Sequence, residues 1–199
     1  MLDFKVDASL IREFILFDDS DYYPVEIVGL VENQSLHSLE PKELIIVSHS
    51  QFLEQANRIA NLHQQYDNME SLIVTPEQIY NEFSSGRQDI SAIRDFCRML
   101  YEKSDSSNMP SYLLLFGDGS YDPKDRNGVL ANYIPAFQSK ESLKLGYSFV
   151  TDDFYGLYDP NEGNNAYAKS LDIGIGRLPA NNEEQAKDMV DKIERYLSK

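Results

Sequence analysis

The sequence predicts an α/β domain on a mostly parallel sheet with helices on both faces. Three observations carry that expectation. Short continuous apolar runs recur at residues 44–47 (LIIV), 71–75 (SLIVT), 112–116 (YLLLF) and 171–175 (LDIGI). Runs of this length without polar alternation suit strands buried on both faces. Segments of helical periodicity separate or follow them. The resulting order is strand, helix, strand, helix, strand, long loop, strand, helix, the grammar of crossover connections.

Residues 1–36 read as a small β appendage, or a linker from a preceding domain. Within them, 12–17 (REFILF) and 25–31 (VEIVGLV) have strand character and flank the acidic turn 18–24. Residues 37–199 form the main domain. After the first strand, residues 51–65 place Phe52, Ala56, Ile59, Ala60 and Leu62 near helical spacing. Pro76 opens the helix that follows the second strand, and Ser84-Ser85-Gly86 stops it. Ile93, Phe96, Cys97 and Leu100 repeat at i, i+3, i+4 and i+7 in the next helix.

Residues 117–170 lack a regular pattern, yet they hold nine of the aromatic residues. That content argues against disorder, so the segment reads as an ordered excursion with short strands. A closing helix spans 182–198, with Ala186, Met189, Val190 and Ile193 on one face. Asn181 or Asn182 caps it, and Glu183 and Glu184 suit its first turn.

The formal net charge is −15. Nucleic acid and anionic membrane surfaces would meet a repulsive field and are not expected partners. A single cysteine rules out an internal disulfide. No apolar run approaches the ~20 residues of a spanning helix, so no direct membrane insertion is expected. The opening residues have no leader pattern, and residue 1 reads as a point within a longer protein.

Function in an open parallel sheet gathers beyond the carboxyl ends of the strands. Here those ends carry Ser48-His49, Thr75-Pro76, residues 117–122 (GDGSYD) and Gly176-Arg177. Asp118 and Asp122 sit on the third. The excursion adds Asp152, Asp153, Asp159, Asn161, Glu162 and Asn164, and Asp172 starts the fourth strand. Oxygen donors from several loops suit a hard divalent cation, calcium more than magnesium. The same residues also suit plain turn formation and capping.

Nucleophilic chemistry reads poorly. Cys97 lies on an apolar helix face, where a thiol is structural. His37, His49 and His63 are isolated and lack metal-ligand spacing. His49 is the best placed of the three, but it suits loop hydrogen bonding. Ser48, Ser50 and Ser120 have no nucleophile elbow. The run 174–177 (GIGR) lacks phosphate-loop spacing. Its glycines suit close backbone approach, and Arg177 suits bidentate pairing with the acidic loops.

Taken as a set, several segments resemble the gingipain family of cysteine peptidases. They are 33–39 (NQSLHSL), 75–86 (TPEQIYNEFSSG), 112–122 (YLLLFGDGSYD), 147–158 (YSFVTDDFYGLY) and 171–179 (LDIGIGRLP). The resemblance spans roughly residues 31–198 and points to the sortase branch that serves type IX secretion. It implies the first half of a caspase-like catalytic domain. The family's catalytic His, in a His-Gly motif, and its Cys both belong to the second half. Here the histidines read His-Ser, His-Ser and His-Gln, and Cys97 is in the wrong element. No catalytic residue carries over.

The resemblance also implies calcium. Asp122 matches the acid of the turn and Asp172 the acid that starts the strand. Asp159, Asn161, Glu162 and Asn164 come from a loop that is longer here. The implied partners are a C-terminal catalytic subdomain of the same protein and protein substrates. The implied setting is the bacterial cell surface, outer-membrane-associated or secreted. The implied activity is removal of C-terminal secretion signals, with this half as support and cleft wall. The alternatives are a stand-alone calcium-stabilised binding domain, and a phosphoacceptor or hydrolase using Asp118 and Asp122. The latter needs a lysine at a strand end, which the sequence lacks.

Overall fold

The computed structural model describes all residues except 1–4, 8, 10, 12, 19, 21, 28, 125, 127–131, 141–142, 145, 160–161 and 163–169. Four strands form one parallel sheet: β1 (Leu44–Ser48), β2 (Ser71–Val74), β3 (Tyr112–Phe116) and β6 (Gly174–Leu178). Their spatial order is β2-β1-β3-β6. A two-stranded antiparallel ribbon, β4 (Phe137–Gln138) and β5 (Val150–Thr151), lies within the excursion, which carries the short strands its aromatics suggest. The helices are α1 (Leu53–Asp67), α2 (Pro76–Phe83), α3 (Ile90–Lys103) and α4 (Glu183–Leu197).

Both faces of the sheet are covered, which explains the uninterrupted apolar strands. Side chains alternate along a strand. Ile45, Val47, Leu113 and Leu115 enter the core shared with α2 and α3. Leu44, Ile46 and Phe116 enter the core shared with α1 and α4. Local chemistry starts the helices where expected. Thr75 and Gln78 form a reciprocal capping box on α2, and Asn182 accepts from the Gln185 N–H on α4.

Two expectations change. The fourth strand is Gly174–Leu178, not 171–175, so Asp172 lies in the loop before it. Cross-strand fit explains the shift. Gly174 pairs with Tyr112, and a Cβ there would come within 3.1 Å of the Tyr112 ring. Glycine therefore starts the ladder. Gly176, by contrast, faces open space.

The second change concerns residues 12–17 and 25–31, where no strand forms among the described residues. Ile15, Val25 and Ile27 are at least 84% exposed. Strand-forming side chains without a neighbouring strand have no ladder to join.

The chain divides into two units, Met1–Asn33 and Gln34–Lys199. Leu36, expected in the appendage, is buried in the α2–α3 core. Glu82 on α2 holds this lead-in. Its carboxylate accepts from the Leu36 N–H at 2.7 Å, the Gln34 amide at 3.0 Å and the His37 ring at 2.8 Å. Burial opposes ionisation of Glu82. The hydrogen bonds from Leu36, His37 and Gln34 outweigh it and hold the carboxyl at about 2.

A depressed carboxylate adds stability above its ordinary value of 4.5, and that stability fades as pH falls toward 2. Glu82→Gln should therefore cost about 1–2 kcal/mol at pH 7. Urea titrations of both proteins should show the gap narrowing below pH 4.5 and closing as pH falls through about 2.

Candidate functional site

The strand order reverses between β1 and β3, and a crevice opens beyond the carboxyl ends of strands at such a point. Two glycines shape the turn after β3. Gly117 has φ +149°, and a Cβ there would stand 2.9 Å from the Tyr133 Cβ. A Cβ on Gly119 would stand 2.8 Å from the Ile134 carbonyl oxygen. The missing side chains let residues 133–134 lie directly on the turn. The Ile134 N–H donates to the Asp118 carbonyl at 3.1 Å, and the Asp118 N–H donates to the Ala180 carbonyl at 2.9 Å. His49, Phe52 and Tyr133 pack ring against ring beside it.

Arg177 ties this region together. Its Nε and Nη2 donate to the two oxygens of Asp152 at 2.8 and 2.6 Å, the bidentate pairing that its sequence position suggests. Nη1 donates to the carbonyls of Gly117 at 2.8 Å and Ile134 at 2.9 Å. Nη2 also reaches the Pro135 carbonyl at 3.4 Å. The Tyr155 hydroxyl donates to that same carbonyl. Burial pushes the Tyr155 phenol well above its ordinary range, while Arg177 pulls the other way. Tyr133, Ile134 and Tyr155 join the site; Tyr133-Ile134-Pro135 and Tyr155-Gly156 belong to the sequence pattern that resembles the gingipains, with no role assigned to them from sequence. A second sequence signal was the aromatic density of a loop too long to be structureless.

The four candidate metal ligands do not meet as one cluster. Asp122 follows β3 at its carboxyl end, and Asp172 precedes β6 at its amino end. The carbonyl of Pro123, next to Asp122, accepts from Gln88, just ahead of α3. Asp172 accepts from the Tyr158 N–H at 2.8 Å, and Tyr158 packs on Tyr101 near the far end of α3. That helix is about 20 Å long.

Asp122 instead organises its own turn. It accepts from the Arg126 N–H at 2.9 Å and faces the Arg126 guanidinium at 3.8 Å. Asp159 and Glu162 share a local turn, with the Asp159 N–H donating to Glu162 at 3.1 Å. Asn161 and Asn164 lie outside the described residues. Among the described residues, no group of three or more His, Cys, Asp or Glu side chains converges on a metal position.

Cys97 is fully buried. Burial pushes its thiol up to about 12, against a weaker pull from the neighbouring Tyr158 hydroxyl. A thiol so placed is not a nucleophile. His49 accepts from the Gln51 N–H through Nδ1 at 3.4 Å and caps a 3₁₀ turn. Burial lowers its imidazole below the ordinary value, with Glu77 opposing. His37 pairs with Glu82, and His63 pairs with Asp67. The three histidines thus sit in three separate local contacts. The Ser48 hydroxyl donates to the adjacent His49 carbonyl.

The model of Peptidase family C25 matches residues 37–199. The crystal structure of dimeric latent PorU from Porphyromonas gingivalis shares 34% identity with this chain, at a TM-score of 0.73. The match covers 86% of this chain and 17% of that one. The complex of pro- and mature domains of RgpB from the same organism gives a TM-score of 0.52 at 21% identity, over 77% of this chain and 29% of that one. The Arg-specific cysteine proteinase gingipain R (RgpB) gives 0.50 at 20% identity, over 82% and 30%. These last two bear on the fold alone. No curated protein matches significantly. This chain belongs to peptidase family C25 and is a gingipain-like domain related to PorU. It spans less than a third of the length of each of these three solved chains.

Two outcomes follow from this geometry. Gly119→Ala should cost about 1–3 kcal/mol in urea unfolding, because the backbone oxygen of Ile134 cannot give way. Cys97 in the folded chain should resist a colourimetric thiol reagent for hours and react within minutes in 6 M guanidinium.

Proposed function

We propose that this domain is the non-catalytic first half of a sortase-type cysteine endopeptidase that trims C-terminal secretion signals from exported proteins. Its role is to buttress the catalytic half and to wall one side of the substrate cleft. The family match and the likeness to PorU support this reading, and so does the inert Cys97. The surface of bacteria, or their surroundings, is the setting proposed. Among the described residues no helix is long and apolar enough to cross a membrane.

One structural observation carries the reading furthest. Among the described residues, strand β6 is one of the two edges of the sheet, and apolar grooves lie beside it. One, of about 650 Å³, runs over Leu44, Leu114, Gly174 and Gly176. The other, of about 470 Å³, lies on Leu178, Met189, Ile193 and Leu197 of β6 and α4. Tyr196 beside it is 78% exposed. Uncapped apolar edges of this kind mark interaction surfaces. We assign this one to the C-terminal catalytic subdomain of the same protein.

Calcium is carried forward as a proposal on Asp159, Glu162 and Asp172, which do not converge in this structure and would have to draw together around the ion, with Asp122 apart from them. A site there makes the melting temperature rise with calcium and fall with chelator. Asp172→Ala abolishes that response and Asp122→Ala keeps it. Identical melts with and without the ion would remove the site.

The isolated domain should hydrolyse no peptide, whereas the full-length protein should cleave a C-terminal signal peptide. The isolated domain should also bind the separately expressed second half. Tyr196→Asp should weaken that binding by about tenfold, the effect of a charge forced into an apolar contact. A full-length protein without cleavage, or halves that do not associate, would count against the proposal.

A further inference from the structure

We infer that Arg177 and Asp152 are a positioning pair that sets the shape of the cleft wall in the full-length protein. The inference rests on the peptidase reading above and adds which residues control substrate fit.

An arginine side chain has five N–H donors in a fixed plane. Arg177 places all five. One Nε–H and one Nη2–H go to Asp152, the other Nη2–H to Pro135, and the two Nη1–H groups to Gly117 and Ile134. Its side chain is only 13% exposed. The acceptors come from three different segments: the turn after β3, the stretch around Ile134 and the turn after β5. These segments gather at the carboxyl end of β3, where an open α/β sheet builds its cleft. One planar group therefore fixes three stretches of irregular backbone relative to β6.

Neither residue has the chemistry of the cleavage step, so their influence runs through the segments they hold. Loosening those segments weakens substrate binding while leaving the bond-breaking step intact. Lysine keeps the charge of Arg177 but has three donors on a single nitrogen and no fork. Asparagine keeps the shape of Asp152 but turns an N–H toward the guanidinium.

The test uses the full-length protein with Arg177→Lys and Asp152→Asn, at a temperature where circular dichroism of both variants matches the wild type. Amide exchange should accelerate about tenfold across residues 132–138 and 150–156, and remain unchanged in β1 and α1. KM for a signal peptide should rise about tenfold, with kcat within about a factor of two. Exchange that does not change overturns the inference. So does faster exchange with KM unaltered, which makes the pair structural only, and so does a fall in kcat at constant KM. A wild-type protein that cleaves nothing overturns this inference and the peptidase reading together. An active wild type with unresponsive variants overturns this inference alone.

Discussion

One guanidinium governs the functional end of this domain. Burying the Arg177 charge carries a desolvation penalty that only close, well-directed partners offset. The structure supplies a bidentate carboxylate and three backbone carbonyls. Those carbonyls belong to irregular backbone that has no ladder or helix to satisfy it, so the arrangement meets two needs at once. The cation gains acceptors, and the loops gain donors. A neutral or flexible side chain at this position satisfies neither need fully.

The glycines of the turn after β3 make that arrangement reachable. Arg177 can bond Gly117 and Ile134 together because a Cβ on Gly117 or Gly119 would press against residues 133–134. The apolar strands do the rest. Burial of β1 and β3 on both faces fixes their register, and that register places His49 and Gly117 side by side, with the His49 N–H on the Phe116 carbonyl. A fully paired sheet thus presents an irregular rim, and a single partly buried ion pair ties the rim together.

Much of this was legible in the residues alone. The runs LIIV and YLLLF are too apolar for anything but two-sided burial, and Cys97 sits on an apolar stripe that announces its inertness. The pairing of Arg177 with an acidic loop also followed from its place near a strand end. Other features depend on neighbours distant in sequence. The start of β6 is set by Tyr112 across the sheet, which no local pattern in LDIGI reveals. Residues 12–17 and 25–31 have strand composition, but a ladder needs a second strand. The carboxylates looked like one cluster because sequence order does not say which end of a sheet a loop occupies. Asp122 and Asp172 flank paired strands from opposite ends.

The central claim is that Asp152 and Arg177 act as one unit. A double-mutant cycle with Asp152→Ala, Arg177→Ala and the double variant, read by urea unfolding, tests it most directly. The account predicts a coupling of about 2–3 kcal/mol, as for contacting charges in a shared network. Additive losses, within about 0.5 kcal/mol of independence, would contradict it.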